Sequence, residues 1–143
     1  MPLYLLDTNV ISELRKKPHR RDDRFNTWLQ SVTGHDTYLS VITVGELTAG
    51  VLAMERKDPA QGALLRSWLE DEVLPDFTGR ILPVTREIAE REARLQVPDP
   101  RPKADALIAA TALTHNMTMV TRNTADFSGT GTDLVNPWDA ATH

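Results

Sequence analysis

Four short, β-rich apolar runs, each followed by a stretch long enough to make a helix, constrain this chain more than any other feature. They are "LYLL" (3–6), "TYLSV" (37–41), "RILPV" (80–84) and "TMVT" (118–121), with a weaker fifth candidate at "TDLVN" (132–136). Strands joined through helices are joined by crossovers, so they lie parallel in a sheet covered on both faces. The expected fold is therefore α/β: a three-layer α/β/α sandwich with a mainly parallel sheet of four to five strands. At 143 residues and 41% hydrophobic content the chain suits one core, so residues 1–143 are expected to form a single domain.

The intervening segments carry helical signals. Val10, Ile11 and Leu14 place a helix over Thr8–Lys16, stopped by Pro18. Phe25, Trp28, Leu29 and Val32 form the inner stripe of another over 22–32. Thr43 opens a third, Pro59 stands in the first turn of a fourth over 58–74, and Thr85 opens a fifth with Ile88 and Ala89 at capping-like spacing. Pro98, Pro100 and Pro102 then interrupt regular structure before a helix over 103–116.

Composition narrows the function. With no cysteine, the chain has neither a disulfide framework nor a thiolate metal site. Its N-terminus lacks the basic flank and cleavage site of a signal peptide, and no apolar run approaches a membrane span, so a soluble, cytoplasmic protein with no membrane partner is expected. A net charge of -4 argues against coating nucleic acid through bulk positive charge. One local exception is "RKKPHRRDDR" (15–24), which reads either as a solvated loop or as a phosphate contact.

Four acids occupy places that ask for a reason. Asp7 stands where the first strand ends, the edge at which open α/β sheets gather ligands, although an Asp there also caps the following helix. Glu46 shares a helix face with Thr43, Ala49, Gly50 and Ala53, opposite Val44, Leu47, Val51 and Met54. Gly45 and Gly50 cost that helix roughly 1 kcal/mol each, which suggests room for a close backbone or a bound ion; a plain surface Glu is the alternative. Asp105 opens a helix apolar almost all round, and a buried carboxylate needs a partner, whereas a partly exposed first-turn Asp does not. Asp126 follows the fourth strand in "VTRNTADF", where a turn residue would also fit.

Gathered at one sheet edge, the four would raise one another's pKa values or draw in a cation. Carboxylates without cysteine or paired histidine suit Mg²⁺ or Mn²⁺. His19, His35, His115 and His143 show no ligand spacing, and "SGTGTD" lacks the lysine and helix of a phosphate loop.

On "LLDTNVISELRK", "SVITVGEL", "KADALIAATAL" and "VTRNTADFSGTGTDLVNPW", which run in order through nearly the whole length, the chain resembles PIN-domain ribonucleases, specifically VapC-type toxins of toxin–antitoxin modules and their FitB-like branch. The resemblance implies metal-dependent endonucleolytic cleavage of RNA, with Asp7, Glu46, Asp105 and Asp126 as catalytic metal-site acids and Thr8, Asn9, Thr121 and Asn123 as supporting polar residues. It also implies a homodimer, inhibition by a VapB-like antitoxin, and DNA contact only through that antitoxin.

On this reading Asp7, Asp105 and Glu46 hold one Mg²⁺ or Mn²⁺, and Asp126 helps hold it or a second ion. Arg15, Lys16, Arg20, Arg21, Lys103 and Arg122 are candidate clamps for the RNA backbone. An antitoxin tail placing Arg or Lys among the acids would substitute for the metal's charge. Two rivals remain: a PIN-like module that binds without cleaving, in an antitoxin–DNA autorepression complex, and an aspartyl-phosphate enzyme. The second is weakened because Asn9 stands where such loops usually carry a second Asp.

Overall fold

The computed structural model describes residues 2–139, and His143 lies outside them. Five strands, β1 (Tyr4–Leu6), β2 (Thr37–Ser40), β3 (Ile81–Leu82), β4 (Thr118–Val120) and β5 (Leu134–Val135), form one sheet in the order β3-β2-β1-β4-β5. All four pairings are parallel, with Tyr4 level with both Thr37 and Thr118. The short run at 132–136 does make a strand, kept in place by its register with β4.

Alternation along the central strands divides the core. Leu6, Leu39 and Val120 face one side, packed with Val10, Ile11 and Phe25, while Leu5 and Met119 face the other, packed with Ile108 and Ala109. Leu5 and Leu6 are both buried, as expected of a parallel strand covered on two faces. The first layer comprises α1 (Thr8–Leu14), α2 (Asp23–Gln30), α3 (Val41–Lys57), α4 (Pro59–Trp68) and the short α5 (Leu74–Asp76). The second comprises α6 (Arg86–Leu95) and α7 (Lys103–Thr114).

Helix ends follow their caps. The α1 helix stops at Leu14, earlier than the proline suggests, and Pro18 instead opens a 3₁₀ turn over Pro18–Arg20. Ser40, not Thr43, caps α3: its hydroxyl accepts from the Ile42 amide at 3.0 Å, and Thr43 is buried one turn inside. Thr85 caps α6 through the Ile88 amide at 3.3 Å. Pro59 is at the start of α4, which continues through a π-helical turn, Leu69–Val73, into α5.

The close backbone approach suggested at Gly45 or Gly50 occurs elsewhere. A Cβ on either would meet nothing within 4 Å, whereas one on Gly62 would lie 2.4 Å from Glu55 Cα. Gly62 thus sets the distance between α3 and α4, and Arg66 closes that crossing with bonds of 2.6 and 2.8 Å to the two Glu55 oxygens.

Candidate active site

Asp7 leaves β1 still bound to the sheet, its amide donating to Val120 O at 2.9 Å. Its two carboxylate oxygens have separate tasks. Oδ1 accepts from the Thr8 amide at 2.8 Å and caps α1; Oδ2 accepts from the Thr121 hydroxyl at 2.8 Å and, weakly, from Asn9 Nδ2 at 3.4 Å. Capping and siting are therefore both true of Asp7. Burial raises its pKa; the Thr121 hydroxyl and the Thr8 amide oppose that rise, and the charges of Glu46 and Asp126 add to it.

Thr121 is the fully buried hub, accepting from the Asn123 amide at 3.0 Å and from Asn9 Nδ2 at 3.4 Å while it donates to Asp7. Asn9 Oδ1 in turn accepts from the Arg122 amide at 3.1 Å, so the β4 loop is bound to the first turn of α1. Asn123 contributes its backbone to this web and begins the 3₁₀ turn Thr124–Phe127 that carries Asp126.

Glu46 lies on the exposed side of α3, in agreement with the surface alternative, yet it is not idle. Thr8 Oγ1 donates to its Oε1 at 2.6 Å, linking α1 to α3. Asp105, in the first turn of α7, is half-buried. Burial raises its pKa, and the charges of Asp7, Asp126 and Glu46 raise it further, so all four acids share one electrostatic field. Among the described residues none of the four forms an ion pair. The side chains as they stand are not gathered into a closed cage: no three acidic or imidazole groups among the described residues are close enough to grip one ion. The donor chemistry nevertheless fits a hard divalent cation, since four carboxyl groups influence one another and, among the described residues, no Lys or Arg pairs with any of them.

The basic candidates are more dispersed. Lys16 pairs with Glu13 at 2.8 Å, Arg21 donates to Leu14 O at 2.8 Å, and Lys103 pairs with Glu92 at 3.0 Å. Arg15 lies 6.0 Å from the centre of the Trp68 ring, Arg122 lies 5.1 Å from that of Trp138, and Arg20 is exposed in its 3₁₀ turn.

Sequence reasoning missed the strap that holds the loop before Asp105. Buried Glu92 accepts from Gln96 Nε2 at 2.6 Å as well as from Lys103, and Gln96 Oε1 accepts from the Arg101 amide at 2.6 Å. Arg101 then donates to Leu95 O at 3.3 Å and Ser128 O at 3.1 Å, spanning the loops that precede Asp105 and follow Asp126. The signal was Glu92, one helical turn after Ile88 on the inward face of α6.

No helix of the described residues is long and apolar enough to cross a membrane. The PIN domain family model matches residues 4–131. VapC ribonuclease Y4jK of Sinorhizobium fredii is 38% identical over 97% of this chain and 100% of its own length. Toxin FitB of Neisseria gonorrhoeae is 39% identical over 95% of this chain and 99% of its own. A solved structure of FitAB bound to an IR36 DNA fragment superposes with a TM-score of 0.85 at 37% identity, over 96% of each chain. A parallel five-stranded sheet in this order, acids at its carboxyl edge and likeness along nearly the full length lead to one assignment: the chain belongs to the PIN-domain family.

Proposed function

We propose that the chain is a metal-dependent endoribonuclease, the toxin of a VapBC-type module, with Asp7, Glu46, Asp105 and Asp126 as its catalytic acids. The observation that carries this reading is the web of bonds round Asp7, which ties it through Thr8 to Glu46 on α3 and through Thr121 to the β4 loop that leads to Asp126, with Asp105 in reach of the same charges. Its relatives' names, a VapC ribonuclease and a toxin, support the same chemistry. The chain works as one domain in the cytoplasm, as a homodimer held inactive by a cognate VapB-like antitoxin, and meets DNA only through that antitoxin.

Asp7, Asp105 and Glu46 would hold Mg²⁺ or Mn²⁺, with Asp126 assisting. Such an ion supplies Lewis acidity, lowering the pKa of water and neutralising charge on phosphate oxygens. The protein's contribution is orientation. Asp7 is fixed by its bonds to Thr8 and Thr121; Oδ1, which accepts only from the Thr8 amide, keeps a further lone pair for a ligand, while Oδ2 accepts from Thr121 and, weakly, from Asn9. Glu46 is steered by Thr8, while exposed Asp126 is carried on a short turn anchored at Asn123. Their excess negative charge repels an RNA phosphate until a cation balances it, so substrate binding and ion binding are coupled.

The test compares wild type with Asp7→Asn and Asp105→Asn on RNA, with and without divalent cation. Both variants should keep the wild-type circular dichroism and lose cleavage; full activity in either rejects the assignment. A binding module without cleavage is the second reading, favoured by acids that do not close round an ion as they stand; the relative solved on DNA is compatible with both. It predicts no cut with any divalent cation.

A further inference from the structure

A groove of about 270 Å³ opens directly beside Glu46, between α1, α3 and α4, and shares Thr8 and Glu46 with the acid site. Its far wall is Trp68, half-buried, with the exposed Arg15 guanidinium over the ring at 6.0 Å. Ser12 and Gly50 line the space between, and the Gly50 position is open, since a Cβ there would touch nothing within 4 Å. Among the described residues Arg15 has no carboxylate partner, unlike Lys16 and Lys103.

We propose that this groove is a nucleobase subsite. It takes the base of an unpaired nucleotide next to the scissile phosphate, stacked against Trp68 where the Arg15 guanidinium now lies over the ring, with Arg15 displaced onto the neighbouring phosphate. Three features together favour a nucleotide. An aromatic ring offers a stacking face to any base, a guanidinium beside it suits a phosphate, and the cleft is continuous with the acids. A wholly apolar occupant would leave the Arg15 guanidinium with no anion to meet. The inference rests on the acids acting on RNA and adds where the strand runs: from the acids over Glu46 towards the end of α1. It also fits the acidic net charge, because stacking supplies affinity that bulk electrostatics does not.

The experiment uses the full chain carrying Asp7→Asn, so that RNA stays intact, and a short mixed-sequence single-stranded oligoribonucleotide as probe. Binding should quench tryptophan emission, and Trp68→Phe should remove most of the quench while keeping most of the affinity. Gly50→Leu starts its side chain from open space, since a Cβ there meets nothing within 4 Å, and by occupying the groove should weaken binding about tenfold, the effect of losing one base stack. A base-free ribose-phosphate oligomer should bind Gly50→Leu and its parent equally. Unchanged RNA affinity in a Gly50→Leu protein that melts no lower than its parent overturns the subsite. So does loss of antitoxin affinity with RNA affinity spared, which gives the groove to a protein partner. If groove-dependent binding holds but wild type cuts no RNA with any divalent cation, the nuclease reading falls and with it the scissile phosphate, while the groove stands as a base-binding site.

Discussion

The hydroxyl of Thr121 donates to Asp7 Oδ2 at 2.8 Å, joining the ends of two adjacent strands across 114 positions of sequence. It is the strongest influence holding down a carboxyl that burial pushes up. Thr121→Val keeps the shape and deletes the donor, so the Asp7 pKa should rise further. The acid limb of the pH profile for RNA cleavage should then move to higher pH, with activity near neutrality down roughly tenfold, as for loss of a bond to a charged group. A limb that stays in place would show that Asp7 ionisation does not govern the reaction.

Removal of divalent cations exposes the repulsion at the site. Because the folded Asp7 pKa lies above its unfolded value, the folded state holds the proton more tightly, and stability falls as pH rises from the unfolded towards the folded pKa. In chelator, Asp7→Asn should melt a few degrees above wild type on the alkaline side of that window, and the gap should close below it. Asn caps helices about as well as Asp, so α1 is preserved. Added Mg²⁺ or Mn²⁺ should raise the wild-type Tm and leave the variant unmoved; calorimetry across pH reads both effects.

Glu92 has the opposite sign. Gln96 and then Lys103 hold its pKa below the usual carboxylate range, so its contribution is present above the unfolded pKa and is lost as pH falls through the folded one. Glu92→Gln should cost about 1 kcal/mol at pH 7 by urea unfolding. The difference should vanish in acid. A constant difference across pH would mean that packing, not charge, is what Glu92 supplies.

At the crossing of α3 and α4, Gly62→Ala should lower stability by about 1 to 3 kcal/mol, because the new methyl meets Glu55 backbone at 2.4 Å. Ala is the better helix former, so a protein free of that clash would gain stability instead. Thermal unfolding decides the sign.

The layer arrangement was legible because apolar runs and helical stripes obey different periods, and parallel order follows from the connections. Helix starts were less so: Ser40 and Thr43 are both good caps by type, and only the turn of the backbone after β2 chooses between them. Asp7 could be read from its place at a strand end. Glu46 could not be weighed fully, since its tie to Thr8 joins two helices 38 residues apart. The Glu92–Gln96–Arg101 strap was hidden for the same reason: a carboxylate on a helix face announces no partner until the loop after α6 folds back. The basic run at 15–24 left two readings open, and composition could not show that Lys16 and Arg21 take internal partners, Glu13 and Leu14 O.

Because β1 is central and its neighbour β4 arrives more than a hundred residues later, the two halves of the acid site come from opposite ends of translation. A nascent chain that has emerged only through α6 carries Asp7 and Glu46 but neither Asp105 nor Asp126, and the flank of β1 that receives β4 is still bare. A chain that ends before α7 therefore holds at most two of the four carboxylates and has no β4 to place the Thr121 hydroxyl against Asp7.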